Sequence, residues 1–214
     1  LTALLLHPDA ELLRVVRSFV PSVLIVGSNA VPGWVISAWR QAAGREQRLM
    51  IIRRGTDTRA IDTGAAAKEM VLVSRLPGIN SPYVARHMLG FLRLQDARKN
   101  DRIAIIGAGN IGSVIAHNAV SAGLEVCIIS PSLMNPATRV STLVRRNLDP
   151  ERIKVPGSVS EALRGARYVA VAVPWFDARG LPNAGVIRTR DIRALAEFPT
   201  VVSASVPGVF TPGA

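Results

Sequence analysis

Residues 102–130, RIAIIGAGNIGSVIAHNAVSAGLEVCIIS, constrain the fold of this chain more than any other stretch. An aliphatic run with the pattern of a β-strand leads directly into Gly107-x-Gly109-x-x-Gly112, an amphipathic helix pattern follows, and a second strand pattern ends at Ser130. A G-x-G-x-x-G pattern alone is weak evidence, but here the flanking strands and helix supply the context of a dinucleotide-binding βαβ unit. The stretch therefore favours dinucleotide binding over a glycine-rich turn without a ligand.

The three glycines have different physical roles in such a turn. Gly107 permits the tight turn, Gly109 lets the backbone approach a pyrophosphate, and Gly112 lets the helix pack closely against the strand. The backbone amides of Asn110 and Ile111 lie at the start of the helix, where the helix dipole favours a phosphate. We therefore predict that Asn110 and Ile111 bind the cofactor together with the glycines.

The end of the second strand bears on the choice between NAD and NADP. NAD sites usually place Asp or Glu there to bind the ribose 2′-hydroxyl, whereas this chain has Ser130 followed by Pro131. Without a carboxylate nothing repels a 2′-phosphate, and three arginines downstream could supply positive charge: Arg139, Arg145 and Arg146. Both NAD and NADP therefore remain open as the cofactor.

Short aliphatic runs alternate with helical patterns along the rest of the chain. Strands are predicted at residues 23–26, 50–52, 70–73, 102–107, 125–130, 168–173 and 200–205. Helices are predicted at residues 32–43, 82–97, 111–122, 159–166 and 189–196, with Ser158 and Glu161 as a capping box. This alternation predicts right-handed βαβ crossovers and an open parallel sheet. Pro and Gly in LPGIN, residues 76–80, predict a domain boundary near residue 80.

Charge and composition exclude several classes of protein. The chain has 26 basic and 15 acidic residues, a net charge of +11, which raises the question of nucleic-acid binding. The arginines are scattered and are not interleaved with aromatic residues, so we expect an arginine-rich solvated surface that favours small anions, and no nucleic-acid partner. No apolar run approaches the ~18–20 residues of a membrane span, so no membrane partner is expected.

The single cysteine, Cys127, excludes an intramolecular disulfide and a cysteine-rich metal site. No cluster of His, Asp and Glu has metal-ligand spacing, so no metal is predicted. A reducing, cytoplasmic location is the default expectation for such a composition.

Five segments, in order, resemble the D-isomer-specific 2-hydroxyacid dehydrogenases, the family of phosphoglycerate, glyoxylate and formate dehydrogenases. The segments are RRGTDTRAID (53–62), LPGINSPYVARHMLGFLRL (76–94), GAGNIG (107–112), YVAVAVP (168–174) and VVSASVPG (201–208). The resemblance implies a Rossmann-type doubly wound parallel sheet at residues 81–214 and a partial, smaller flavodoxin-like substrate domain at residues 1–80. It also implies a homodimer that acts on a small anionic substrate.

The resemblance assigns roles to particular positions. Cofactor-binding positions are Gly107, Gly109, Asn110, Ile111, Gly112, Ser130, Pro131, Val173, Pro174, Ser205 and Val206, and substrate-binding positions are Gly55, Thr56 and Asp57. Two departures from the family pattern bear directly on the substrate. Asp57 would place a carboxylate beside the substrate carboxylate. Val206 stands where the family has the arginine that clamps a 2-oxo acid, and valine offers no bidentate donor.

The family's catalytic Glu and His would lie beyond residue 214, and the N-terminal region is short, so we expect a chain from which segments are missing. Within the chain His87 is the only acid/base candidate, and Arg54 and Arg86 are candidates to replace the lost clamp. The leading hypothesis is an NAD(P)-dependent 2-hydroxyacid dehydrogenase-like oxidoreductase with an altered substrate site. The alternative is a catalytically inactive dinucleotide-binding, sensing or scaffold protein.

Overall fold

Parallel β-sheets form the centre of both units into which the chain divides, Leu1–Asn80 and Ser81–Ala214. The structure is a computed structural model, and it describes residues 9–177 and 179–213. None of the helices in these described residues is long and apolar enough to cross a membrane.

From residue 9 onwards, the first unit shows three parallel strands in the order β1-β2-β3, together with three helices. Its elements are α1 (Asp9–Phe19), β1 (Val23–Val26), α2 (Gly33–Ala43), β2 (Leu49–Arg53), α3 (Thr63–Lys68) and β3 (Val71–Arg75). Alternate strand residues such as Leu24 and Ile51 are buried in one core with Trp39 of α2, as the period of two in a strand requires. The described residues show three strands here, so the flavodoxin-like description of this unit stays a prediction.

A buried arginine, Arg40, holds the end of α2 to the surrounding chain. Its guanidinium donates hydrogen bonds to the carbonyl oxygens of Gly44 and Gln47 at 2.8 Å each, of Glu69 at 2.8 Å and of Met70 at 3.2 Å. These bonds satisfy carbonyl groups at the end of a helix and in a loop, where helix geometry leaves them without partners. Nothing in the sequence distinguishes Arg40 from the surface arginines.

In the described residues of the second unit, 81–177 and 179–213, five parallel strands follow the order β6-β5-β4-β7-β8, which is a doubly wound arrangement. Its elements are α4 (Ser81–Leu92), β4 (Arg102–Ile106), α5 (Asn110–Ser121), β5 (Glu125–Ile129), α6 (Pro136–Val144), β6 (Ile153–Lys154), α7 (Val159–Leu163), β7 (Tyr168–Val171), α8 (Thr189–Ile192) and β8 (Thr200–Ser203). The prediction of an α/β protein with parallel sheets is confirmed.

Both faces of the central strands β5, β4 and β7 are buried, which explains the continuous aliphatic runs in these strands. Ile103 and Ile105 of β4 pack in one core with α4 and α5, whereas Ala104 and Ile106 pack in another with α7. A strand that is covered on both faces has no solvent-facing positions, so it does not show the alternation of polar and apolar residues.

Several elements differ from the sequence-based expectation. Helices α1, α3 and α6 and the short strand β6 were not predicted. The helix expected at 82–97 ends at Leu92, because Arg93 has left-handed backbone angles (φ 50°, ψ 47°). The strand expected at 200–205 ends at Ser203, whose hydroxyl accepts a hydrogen bond from the amide of Ser205 at 3.1 Å.

Of the two hydrogen bonds in the predicted capping box, the structure contains the one accepted by Ser158 but not the one accepted by Glu161 from Ser158. The hydroxyl of Ser158 accepts the amide of Glu161 at 3.1 Å as expected. The carboxylate of Glu161, however, accepts the amide of Gly157 at 2.8 Å rather than that of Ser158.

An ion network joins neighbouring strands at the amino edge of the second sheet. Glu125 of β5 lies 2.5 Å from the guanidinium of Arg102 on β4 and 3.0 Å from the ammonium of Lys154 on β6. Arg102 also donates to the carbonyl oxygen of Arg164 at 2.7 Å. Burial opposes ionisation of Glu125, but hydrogen bonds from Lys154 and Arg102 outweigh that effect and hold the pKa of Glu125 below its usual value.

Replacing Glu125 with Gln removes the charge from this network and should lower stability in a pH-dependent way. Because the pKa of Glu125 in the folded chain lies below the unfolded value of about 4.3, the stabilisation is present above that pH and is lost as the pH falls through the folded value. We expect Glu125→Gln to reduce the free energy of unfolding by about 1 kcal/mol at pH 7. Urea titrations from pH 7 downwards measure the difference, and a difference that does not shrink in acid would contradict the role of this charge.

Candidate functional site

The glycine turn lies where the strand order of the second sheet reverses. β4 occupies the middle of the sheet, with β5 and β6 on one side and β7 and β8 on the other. In open α/β sheets, ligands bind in the crevice outside the carboxyl ends of the strands at this reversal. The turn begins at Gly107, directly after β4, so it lies at that position.

Gly107 adopts a backbone conformation that favours glycine and lies against the adjoining chain. Its φ is +106°, and a Cβ there would lie 2.5 Å from the carbonyl oxygen of Ala172, beyond the end of β7. Its amide donates a hydrogen bond of 2.8 Å to the carbonyl oxygen of Ile129 at the end of β5. The turn is therefore fixed between both neighbours of β4.

Gly112 is required by the close approach of helix α5 to the turn. A Cβ on Gly112 would overlap the carbonyl oxygen of Gly107 and would lie 3.3 Å from a methyl carbon of Ile105. Only a residue without a side chain lets α5 begin this close to β4. The role predicted for Gly112 from the sequence agrees with this geometry.

Gly109 differs from the other two glycines because the protein itself does not require it. Its φ of −76° is accessible to any residue, and a Cβ there would meet no atom within 4 Å. Gly109 is the N-cap of α5, a helix of 12 residues, and it supplies no side chain to bond the first amides. The open space beside Gly109 and the amides of Asn110 and Ile111 therefore fits the pyrophosphate of a dinucleotide.

Alanine substitutions at Gly112 and Gly109 should distinguish the glycine that the fold requires from the glycine that leaves space for a ligand. Gly112→Ala forces a methyl group into the carbonyl of Gly107 and should lower the free energy of unfolding by about 2 to 3 kcal/mol. In Gly109→Ala the only cost is that alanine is less favourable than glycine at an N-cap, so the free energy of unfolding should fall by less than about 1 kcal/mol. Equal losses for the two variants in a urea titration would contradict this assignment of the turn.

Ser130 and Pro131 lie beside the turn. Ile106 of β4 is paired with Ile129 of β5, so the next residues, Gly107 and Ser130, follow on adjacent strands at the same edge. The hydroxyl of Ser130 lies 3.1 Å from the hydroxyl of Ser132.

Four of the predicted cofactor-binding residues lie on the opposite side of the turn. The hydroxyl of Ser205 accepts the amide of Val173 and donates to its carbonyl oxygen, each at 2.8 Å, which joins the chain after β8 to the chain after β7. Pro174 follows Val173, and Val206, which is 45% exposed, follows Ser205. The structure thus brings all eleven predicted cofactor-binding residues to one edge of one sheet, and their contacts with a cofactor remain a prediction.

The predicted substrate-binding turn follows β2 in the first unit. Arg53 closes this turn by donating to the carbonyl oxygens of Asp57 at 2.8 Å and of Arg54 at 3.1 Å. The carboxylate of Asp57 accepts two hydrogen bonds from the guanidinium of Arg59, at 2.8 and 2.7 Å. These bonds lower the pKa of Asp57 to about 2. The Asp57 charge that the sequence analysis expected to repel a substrate carboxylate is therefore paired with a guanidinium.

Sequence reasoning missed the contributions of Arg53 and Arg59 to this turn. The Asp-x-Arg spacing of residues 57 and 59 was the available signal, because it permits a local ion pair. Gly55 has a φ of +148°, and Thr56 is exposed next to it. Their role toward a substrate stays a prediction.

The candidate catalytic residues are exposed. His87 and Arg86 lie on the solvent-facing side of α4, where Tyr83, Gly90 and Phe91 complete an open hollow of about 460 Å³. The imidazole of His87 meets the ring of Phe91 edge-on with centroids 4.9 Å apart, and among the described residues no carboxylate bonds to it. A histidine that acts as general acid or base is usually oriented by such a partner.

Arg54, the third candidate, is exposed beside Gly27 in the first unit. Within the described residues, no group of three or more His, Cys, Asp or Glu side chains is arranged to hold a metal ion.

Comparison with known proteins supports the assignment of the second unit. Residues 102–204 match the family model described as NADP oxidoreductase, coenzyme F420-dependent. No curated protein matches the chain. The family match includes the glycine turn, Ser130 and Ser203, and it confirms the prediction of an NAD(P)-binding domain.

Solved structures with the same fold include several dehydrogenases. The pyruvate reductase of Chlamydomonas reinhardtii is 17% identical with a TM-score of 0.69, over 95% of this chain and 61% of that one. Apo D-lactate dehydrogenase from Escherichia coli is 13% identical with a TM-score of 0.71, over 95% and 65%. The NAD complex of a D-isomer-specific 2-hydroxyacid dehydrogenase from Lactobacillus delbrueckii ssp. bulgaricus is 14% identical with a TM-score of 0.64, over 97% and 64%.

These similarities extend over almost the whole of this chain, whereas the chain spans less than two thirds of each of those proteins. The chain therefore has the fold of the D-isomer-specific 2-hydroxyacid dehydrogenases, as its five sequence segments indicated. The match to a family model of NADP oxidoreductases confirms the prediction of NAD or NADP as the cofactor class.

Proposed function

We propose that this chain is an NAD(P)-dependent oxidoreductase that resembles the D-2-hydroxyacid dehydrogenases and has an altered substrate site. The observation that carries the proposal is the glycine turn, where Gly107 and Gly112 are required by the protein itself and Gly109 leaves open space at the start of α5. A backbone that is closely packed on one side and open on the other is what a pyrophosphate needs.

In this proposal the protein binds and orients, and a bound nicotinamide would supply the hydride. The amides of Asn110 and Ile111 bind the phosphates, since they begin α5 and have no side-chain cap. Ser130 lies on one side of the turn, and the pair formed by Val173 and Ser205 lies on the other. The bonds within that pair keep the backbone rigid where a cofactor would lie.

The proposed substrate is a small anion other than a simple 2-oxo acid. Val206 brings no positive charge to the carboxyl edge, whereas a guanidinium there would bind a carboxylate through two charge-assisted hydrogen bonds. Arg54 in the first unit and Arg86 in the second are both exposed, and each is by itself a candidate to bind an anion of a different shape, such as a phosphate, a phosphonate or a longer carboxylate.

A second candidate function is dinucleotide binding without catalysis, as a sensor or scaffold. Two points favour it: the resemblance assigns the clamp position to Val206, and among the described residues no carboxylate bonds to His87. The two candidates differ only in turnover, so a rate measurement separates them.

The proposal also includes a homodimer and a cytoplasmic location. The single cysteine suits a reducing location. Cys127 is buried and free, and burial raises the pKa of its thiol, so it has little tendency to react. Light scattering on the purified chain tests the dimer directly.

Valine at Gly109 should abolish cofactor binding while the fold survives. The side chain would occupy the space proposed for the pyrophosphate, and its Cβ would meet no protein atom within 4 Å. Fluorescence titration with NADH and NADPH measures affinity, and circular dichroism checks the fold. Gly90→Val is the matched control, because a Cβ at Gly90 also meets nothing within 4 Å. Unchanged affinity in Gly109→Val would show that the turn is only structural.

Loss of the clamp predicts little or no turnover of pyruvate, glyoxylate, hydroxypyruvate or 2-oxoglutarate with either reduced cofactor. Such a clamp contributes several kcal/mol to transition-state binding, on the order of several powers of ten in rate. A cofactor-oxidation screen across these acids measures the rates. Turnover of roughly 1–1000 per second on any of them would contradict the consequence assigned to Val206.

A further inference from the structure

A cationic pocket lies beside the end of β5. It has a volume of about 540 Å³ and is lined by Ser132, Thr138, Thr142, Arg145 and Arg146. Two guanidinium groups and three hydroxyl groups thus face the same space, and no carboxylate is among the lining residues. Arginine and hydroxyl donors in this combination are suited to a phosphate group.

Arg146 has a donor that lacks a partner within the protein. Its Nη1 is buried, and no hydrogen-bond acceptor reaches it among the described residues. A buried donor without an acceptor is unfavourable, so an anion in this pocket would supply the missing partner. Burial, and after it the charge of Arg145, lowers the pKa of Arg146, which an added negative charge would oppose.

Arg145 is the more exposed of the two arginines and lies at the end of α6. Its Nε donates to the carbonyl oxygen of Ser141 at 3.4 Å and its Nη2 to the hydroxyl of Thr142 at 3.3 Å, two long bonds that leave Nη1 as a donor for a ligand. Its charge lies beside that of Arg146 with no acidic side chain in the lining. The unbalanced pair of charges favours an anion with more than one negative charge.

The position of the pocket relative to the glycine turn points to a particular ligand. Ser132 in the pocket lies 3.1 Å, hydroxyl to hydroxyl, from Ser130, and Ser130 follows β5 next to Gly107. Leu133, the residue after Ser132, is held by Arg139, whose Nε donates to the carbonyl oxygen of Leu133 at 2.9 Å. In dinucleotide-binding Rossmann folds the adenosine ribose lies at the end of this second strand.

We propose that this pocket binds the 2′-phosphate of NADP and that it makes the chain prefer NADP to NAD. Arg146 supplies a buried donor, Arg145 supplies charge at the opening, and Ser130 replaces the carboxylate that would repel the phosphate. The proposal rests on the proposed function, because it requires a dinucleotide at the glycine turn. Free inorganic phosphate has the same chemistry, and the experiment therefore includes it as a separate ligand.

The test is isothermal titration of the full chain with NADP⁺, NAD⁺, adenosine 2′,5′-bisphosphate, 5′-AMP and inorganic phosphate. We expect NADP⁺ to bind at least tenfold more tightly than NAD⁺, and the bisphosphate at least tenfold more tightly than 5′-AMP. Arg145→Gln and Arg146→Gln should each weaken NADP⁺ binding at least tenfold and change NAD⁺ affinity less than twofold.

Two further variants serve as an independent test of the pocket and as a charge control. Ser132→Asp places a carboxylate at an exposed position of the pocket and should weaken NADP⁺ alone, even if a substitution at Arg146 impairs folding. Arg152→Gln removes the same charge from an exposed position outside the lining and should change neither affinity.

The outcomes separate this inference from its premise. If NAD⁺ and 5′-AMP bind as tightly as their 2′-phosphorylated counterparts, the proposed role of the pocket is wrong and the proposed function is unaffected. Binding of inorganic phosphate with no preference between the dinucleotides would likewise overturn the proposed role of the pocket. Failure of both dinucleotides to bind would overturn the proposed function and this inference together.

Discussion

The approach of Gly112 to the carbonyl oxygen of Gly107 is the contact on which the site of this protein depends. It leaves no space for a Cβ, so α5 begins directly above the end of β4. From this position the first amides of α5 lie at the carboxyl edge of the sheet, where the strand order reverses. Anything larger at residue 112 would move the helix and its amides away from the place where a phosphate fits.

The rest of the carboxyl edge is arranged around this turn. The strand register brings Ser130 to one side, and the backbone after β7 closes against Gly107 on the other. Ser205 then fixes Val173 through two hydrogen bonds of 2.8 Å. The edge therefore combines rigid backbone with one open position, Gly109, and this combination is what distinguishes a ligand-binding turn from a merely tight one.

The sequence predicted these features because they depend on local patterns. Glycine spacing, aliphatic runs and the order of strands and helices identified the second sheet and the turn. Helix α3 was missed because it has only six residues, α6 because its Thr, Ser and Val residues are weak helix formers, and β6 because it is only two residues long. Helix α1 has an amphipathic pattern that the sequence analysis did not use. The end of α4 was misplaced, because the left-handed conformation of Arg93 has no sequence signal such as glycine.

The arginines show most clearly what sequence reasoning could not resolve. The net charge of +11 is a property of composition, but several of the arginines act within the fold. Arg40 bonds four carbonyl groups, Arg53 closes a turn, and Arg102 joins strands. Arg146 instead keeps a buried donor without an acceptor in the described residues. Such differences depend on contacts between residues far apart in the chain, which composition and spacing do not specify.

The central claim is that a nicotinamide dinucleotide binds at the first turn of α5, and amide resonances report on it most directly. In a ¹⁵N-labelled sample, addition of NADPH should shift the amide signals of Asn110 and Ile111 and slow their hydrogen exchange, because phosphate oxygens would accept hydrogen bonds from them. The amides of the amino edge, near Glu125, should not change. Saturating NADPH that leaves the signals of Asn110 and Ile111 unaltered would contradict the account.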